Sequence, residues 1–322
     1  METIMKRLFA AMAACAVMAG AYAQGWPEHS IKYIVPYDVG GSTDTLSRIV
    51  AGQLQARLGQ PVVVENFGGA GAMIGTERLA KSPADGYTIG LGNTASHTVT
   101  PNIQLKVPYD PKKDFAPISL LAEYANILVV NPRLPVKTLK DFIEFARKQP
   151  GGLSYASSGV GSSNHLGSEL LARMAGLHFT HVPYKGNSRG ISDVVAGHVD
   201  WMFATPSEVI SFVRSGQLRA LGTSGLRPEE LLPDVPPIFK TLPGYEVIGF
   251  MGLFAPAGTP AAIVDRLNRE INAILAEPEV AEKYAMLGMK AVPSTPQALG
   301  QRVEHDYQLW RRVIAEAGIK AQ

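Results

Sequence analysis

The chain has 322 residues, 46% of them hydrophobic and 18% charged, with a formal net charge of +2. This composition excludes a disordered or fibrous chain, and the near-neutral charge excludes the basic field of a nucleic-acid binder or of a protein drawn to anionic membranes. The length suits two domains, each large enough to bury its own core.

The N-terminus reads first. Lys6 and Arg7 precede an uncharged run from Leu8 to Ala23 that ends Ala21-Tyr22-Ala23. A basic start, an apolar stretch and a small-x-small site form a secretory signal peptide, residues 1–23, cleaved after Ala23. A membrane anchor would need about 20 apolar residues, and this run is shorter. A lipid-acceptor reading of Cys15 leaves only Leu8 to Ala14 ahead of it, with hydrophobic residues still following. Cys15 is the sole cysteine, so the mature chain would hold no disulfide. Losing Lys6, Arg7 and Glu2 takes 30 basic and 28 acidic residues to 28 and 27. The expectation is a soluble, monomeric, periplasmic protein.

After the leader, strand-length apolar runs alternate with helical patterns. Ile31–Val35 reads as a strand broken by Gly40-Gly41. Leu46, Ile49, Val50, Leu54 and Leu58 then mark one helix face, stopped by Gly59. Val62–Val64 is a second strand, Ile74–Lys81 a second helix and Tyr87–Leu91 a third strand. This alternation predicts a parallel sheet covered on both faces.

The pattern restarts after Asn131-Pro132. Thr138 opens a helix with Leu139, Phe142, Ile143 and Ala146 inward, and Leu153–Ala156 is a strand. Leu166, Leu170 and Met174 space a helix that Gly176 stops. His178–Tyr184, Val199–Ala204 and Leu218–Leu221 are further strands with helices between them. Pro228, Pro233, Pro236 and Pro237 stiffen the next connection. Val247–Phe254 reads as a strand returning to the first lobe, and Val303, Tyr307, Trp310 and Ile314 mark a C-terminal helix. The fold class is therefore α/β with two lobes joined by two extended crossings near residues 120–130 and 245–252. The cleft between the lobes is the default ligand site.

Two loops rich in glycine and hydroxyls lead from strand to helix, one per lobe. The first is Gly40-Gly41-Ser42-Thr43-Asp44. The second runs from Ser157 to His165 and includes Ser158, Gly161, Ser162 and Ser163. Glycines let backbone approach a ligand, and first-turn N–H groups lack intrahelical partners and favour an anion. A carboxylate held between two such loops needs no arginine. Four or five charge-assisted hydrogen bonds of about 1.5–3 kcal/mol each, less the cost of association, leave roughly micromolar affinity. Capping is the competing reading for Ser42, Thr43, Ser162 and Ser163. Asp44 reads as a first-turn acid serving its own helix. His165 is either a ligand contact or a polar first-turn residue. Asp200 either meets the ligand or braces the cleft backbone.

Other motifs carry less. Gly69-Ala70-Gly71 with Gly75 is one residue too long for a dinucleotide fingerprint, and an exported protein meets little NAD. There is no P-loop and no G-x-S-x-G nucleophile elbow. His178 and His181 are three apart on a predicted strand and point to opposite faces, so they do not share a metal. No cofactor, metal or catalytic residue is expected.

With these residues in view, the chain resembles the Bug family, the substrate receptors of tripartite tricarboxylate transporters. The blocks that carry the resemblance span nearly the whole mature length. They include Ile34-Val35-Pro36-Tyr37 with Gly40–Asp44, Val64-Glu65-Asn66, Asp85-Gly86-Tyr87-Thr88, Ser157-Ser158-Gly159 with His165-Leu166, His181–Gly186 and Ala255–Pro260. The resemblance implies a periplasmic-binding-protein (Venus flytrap) fold with a hinged interlobe cleft, no catalysis, a small-molecule carboxylate ligand and the membrane subunits of a transporter as partners. It implies a discontinuous first lobe, 24–123 and 248–322, around a second lobe, 124–247. It carries ligand contacts onto Gly40, Gly41, Ser42 and Thr43, and onto Ser157 to His165 with Tyr184 and Asp200. Two positions depart from the family's pattern: Asp38 replaces a small or apolar residue, and Phe67 an often basic one. Both predict a ligand less anionic than citrate, such as an amino acid or an aromatic monocarboxylate with a protonatable nitrogen that Asp38 would face. The competing reading of Asp38 is an Asx-turn. A sensory binding protein would share the same fold. An exported hydrolase would need a nucleophile–base pair that the spacing does not show.

Overall fold

The structure, a computed structural model, describes residues 25–184 and 186–316. The predicted leader and its cleavage site lie outside the described residues. No helix among the described residues is long and apolar enough to cross a membrane.

Two sheets organise the chain. The first takes β1 (Ile31–Val35), β2 (Val62–Asn66), β3 (Thr88–Asn93), β4 (Phe115–Ala125), β10 (Ile248–Pro256) and β11 (Lys290–Ala291), in the order β11-β4-β10-β3-β1-β2. The second takes β5 (Ile127–Val130), β6 (Leu153–Ser157), β7 (Phe179–Pro183), β8 (Trp201–Ala204) and β9 (Arg219–Thr223), in the order β7-β6-β8-β5-β9. The returning strand β10 lies in the first sheet.

Strand alternation sets what each face buries. Tyr33 and Val35 pack with Leu46 and Leu54 of helix Ser42–Leu58 and with Leu267 and Ile271 of helix Ala261–Leu275. Ile34, between them in sequence, packs on the other face with Leu79, Leu299 and Val303. In the second sheet, Leu128 and Val130 join Tyr155, Trp201 and Phe142, whereas Ile127 and Val129 join Ile191, Val194 and Val209. Local stops agree with the chemistry. Thr138 accepts from the Asp141 N–H while Asp141 accepts from the Thr138 N–H, a reciprocal cap. Gly59 and Gly176 end their helices in the left-handed conformation.

Two findings depart from the sequence reading. The first sheet is mixed: β1 is parallel to β2 and β3, but β10 runs antiparallel to β3 and β4. A chain re-entering from the second lobe arrives at the hinge edge and must run away from it. The C-terminal helix, Pro296–Glu316, does not stay on the first lobe. Its start packs on the first sheet through Leu299 and Val303, and its end places Trp310, Val313 and Ile314 in one cluster with Leu166, Tyr245 and Val99. A 21-residue helix is about 30 Å long and reaches both cores.

Strand directions also fix which edges meet. Because β10 is antiparallel to both β3 and β4, those strands share a direction with β1 and β2. Because β5 is antiparallel to β8, and β8 is parallel to β6 and β6 to β7, β5 begins where β6, β7 and β8 end. Asn126 alone separates β4 from β5. The crossing therefore joins the carboxyl edge of one sheet to the carboxyl edge of the other. Strand-to-helix turns from both lobes face each other across it, the position at which open α/β sheets bind ligands.

Candidate functional site

Three turns leave the first sheet at this edge: residues 36–41 after β1, 67–72 after β2, and the residues after β3 that open the helical stretch Ala95–Ile103. Three leave the second: residues 158–162, the turn marked by Tyr184 and Gly186, and Thr205, each followed by a helix.

In the first turn, helix Ser42–Leu58 starts at Gly41, whose missing side chain leaves the helix without a side-chain cap. Intrahelical bonding begins at the Thr45 N–H, which donates to Gly41 O, so the N–H groups of Ser42 and Thr43 precede it. Ser42 and Thr43 are half-buried, and neither is the N-cap. The Gly40 N–H is already used, donating to Asp44 Oδ2 at 3.0 Å. Asp44 is buried, accepts from Asn66 Nδ2 at 3.0 Å and pairs with Arg48. Burial pushes its carboxyl up, but Arg48, Gly40 and Asn66 outweigh that and hold it below the usual carboxylate range. Asp44 thus ties the first turn to β2, a wider role than serving its own helix. Asp38 is exposed on the same turn and lies against Gly68 of the next. Phe67 carries the guanidinium of Arg78 4.0 Å from its ring centre.

The second lobe's turn is denser. Ser162 caps helix Ser163–Ala175, accepting from the His165 N–H. Asn164 Oδ1 accepts from the Ser158 N–H and hydroxyl and from Ser162 Oγ. Ser157 is fully buried, with Oγ 2.6 Å from His181 Nε2 and accepting from the Gly159 N–H at 3.1 Å. The Gly161 N–H donates to His165 Nδ1 at 3.2 Å. His165 stacks on His181 with ring centres 4.3 Å apart. Burial, and then His181, pulls His165 down to about 3, and burial pulls His181 down to about 4. Both rings are neutral at pH 7, and the Gly161 bond leaves the His165 proton on Nε2. Gly161, at φ +83°, presents its bare face to Val99 and Ile103 of the first lobe.

The predicted residues therefore fall into groups. Asp38, Gly40, Gly41, Ser42 and Thr43 lie on one turn of the first lobe. Ser157, Ser158, Gly161, Ser162, Ser163 and His165 lie on one turn of the second. Contact between the two runs through intermediates: Gly71 O accepts from Thr100 Oγ1, and the neighbouring Val99 meets Gly161. His165 and Ser157 serve the turn itself, through Gly161 and Gly159. Tyr184 lies at the same edge, but its hydroxyl donates to Asp193 Oδ2 at 2.5 Å; burial and then Asp193 push it up to about 12.

Asp200 needs correction. It precedes β8 and accepts from the Ser154 N–H and hydroxyl at 2.7 and 2.8 Å. That is the amino end of β6 and β8, away from the turns, so Asp200 braces backbone and does not line the cleft. A cavity of about 530 Å³ bordered by Thr138, Arg219 and Val235 is also remote from these turns.

Sequence reasoning missed Asn187 and Ser224, and took Asn164 only as one residue of its loop. Asn164 Nδ2 donates to Asn187 Oδ1, and Asn187 Nδ2 to Glu208 Oε2, joining all three turns of the second lobe. Helix Asn187–Ala196 starts at Gly186 and, like the first-lobe helix, has no side-chain cap. The Gly-Asn pair after Tyr184 was the available signal. Ser224 donates its N–H to Asn126 O at 2.8 Å and its hydroxyl to Val247 O at 2.6 Å, clasping both crossings. Among the described residues, no group of three or more His, Cys, Asp or Glu is placed to hold a metal ion.

Comparison with known proteins agrees with this geometry. A protein of Pseudomonas sp. (strain P51), described as a UPF0065 protein in the tcbD-tcbE intergenic region, is 37% identical over 98% of this chain and 95% of its own. BugT of Bordetella pertussis is 34% identical over 96% and 95%. Among solved structures, a Rhodopseudomonas palustris protein with adipate superposes at a TM-score of 0.83, with 33% identity over 92% of this chain and 99% of that one. MatC of the same organism, with bound malate, gives 0.79, with 31% identity over 90% and 100%. The periplasmic binding protein BugD gives 0.81 with 31% identity over 92% and 100%. The two-lobed fold is that of periplasmic binding proteins. The sequence profile of the tripartite tricarboxylate transporter family receptor matches residues 46–319, and the chain belongs to that family of solute-binding proteins.

Proposed function

We propose that this protein, exported and freed of residues 1–23, captures a small organic carboxylate in the periplasm and delivers it to the membrane subunits of a tripartite tricarboxylate-type transporter. One observation carries the reading: uncapped helix starts at Gly41 and Gly186 lie on facing carboxyl edges of the two lobes. Their N–H groups lack internal acceptors and favour an anion without a charged side chain. Adipate and malate in the related structures fit such a site. Asp38, exposed at the rim, favours a ligand that adds a cationic or N–H group to its carboxylate.

The role is binding without catalysis. Ser157 and His181 do form a nucleophile–base pair at 2.6 Å, but Ser157 has no exposed surface and His181 has lost basicity. A substrate carbonyl has no path to that hydroxyl, so the pair holds the turn.

Titration calorimetry of the mature protein with citrate, malate, adipate, glutamate and nicotinate tests the proposal. Binding of at least one in the micromolar range supports it, and no heat from any of them overturns it. Tight citrate binding with no response to glutamate or nicotinate overturns the part assigned to Asp38.

A further inference from the structure

We propose that Asn126 is a positioning residue through which bending of the hinge moves the ligand-facing start of helix Ser163–Ala175. The inference deepens the binding role proposed above and rests on it.

Asn126 is the single residue between β4 and β5, so a change in lobe angle turns about its backbone. That backbone is clasped on both sides: the Asn126 N–H donates to Ser224 Oγ at 2.9 Å, and Asn126 O accepts the Ser224 N–H. The side chain is thereby left for another purpose. It is buried, and its Nδ2 donates to Ser163 Oγ at 3.2 Å. Ser163 is the first residue of the helix that Ser162 caps, beside Asn164, which joins the three turns of the second lobe.

Ser163 Oγ therefore receives the side chain of the pivot residue itself. Rotation at Asn126 carries Nδ2 along an arc. Either Ser163 follows, moving the helix start, or the bond breaks and leaves a buried amide without its acceptor. A ligand that fixes the helix start then fixes the lobe angle, and the reverse holds by linkage. Ser163, read from sequence as a ligand contact, is on this view the joint between hinge and site.

The test needs no ligand. Ala56 and Glu144 are exposed on opposite lobes, and the mature chain has no native cysteine. Spin labels at Ala56→Cys and Glu144→Cys report the interlobe distance distribution of the unliganded protein by pulsed electron resonance. Asn126→Ala and Ser163→Ala should each shift or broaden the distribution, the double variant should match the singles, and Ser163→Thr, which keeps the hydroxyl, should restore the parent curve. An unchanged distribution in both single variants, or a double variant that shifts by the sum of the two, overturns the proposal. Should Asn126→Ala fail to fold, Ser163→Ala against Ser163→Thr decides alone, because Ser163 is half-buried at a helix start. Failure of every carboxylate to bind would overturn the function above and leave this readout intact.

Discussion

His165 and His181 stack in the second lobe with ring centres 4.3 Å apart, and burial holds both imidazoles neutral. Their proton affinities fall to about 3 and about 4, and His97, buried against Phe254, also falls to about 3. The unfolded chain protonates these rings near pH 6.5, while the folded chain does not until pH 3–4. Their contribution is fully present above pH 6.5 and is lost as pH falls through 4 to 3. Each ring should remove about 1.4 kcal/mol per pH unit below 6.5. Thermal melts should show a level Tm from pH 7.5 to 6.5 and a steady fall from pH 6.5 to 4.5, shallower in His181→Gln.

Gly249 faces the ring of Tyr124 so closely that a β-carbon would enter the ring's van der Waals surface. Gly249→Ala should destabilise the protein by about 1–3 kcal/mol, as overpacking does. Adding Tyr124→Ala should recover part of the loss. Urea denaturation of the single and double variants checks the pair.

Asp200→Ala should leave carboxylate affinity within about twofold of the parent while costing about 1–3 kcal/mol, because Ser154 loses the acceptor of its N–H and hydroxyl. Calorimetry beside a denaturant titration separates the two effects. A large loss of affinity at unchanged stability would return Asp200 to the cleft.

Asp44→Ala should do the opposite. Removing the carboxylate frees the Gly40 N–H, Asn66 and Arg48 together, and the first turn loses its tie to β2. Affinity for the carboxylate identified by the calorimetric panel should fall at least about tenfold, a coupling of ordinary size.

Much of the architecture was legible because its causes are local. Leu46, Val50, Leu54 and Leu58 lie on one helix face, and Gly59 ends that helix. Thr138 and Asp141 sit three apart, the spacing of a reciprocal cap. The two glycine-rich turns were legible for the same reason. What failed to show was register across strands. His181 meets Ser157 because β6 and β7 pair Tyr155 with His181, and nothing near His181 in sequence announces a partner 24 residues upstream. Asp200 was misplaced for the same reason: which end of β8 faces the cleft depends on the direction of β5. The reach of the C-terminal helix was hidden because Trp310 and Val303 share a stripe in sequence but bury against different lobes.

That helix carries a consequence for assembly. The second lobe is nearly continuous in sequence, yet its core is completed by Trp310, Val313 and Ile314. Trp310→Ala should therefore cost about 3–5 kcal/mol and loosen the second lobe, although the residue lies far beyond it along the chain. During synthesis neither half can reach its final packing until these last turns have emerged. Until then the core of the second lobe stays open at the place that Trp310, Val313 and Ile314 will close.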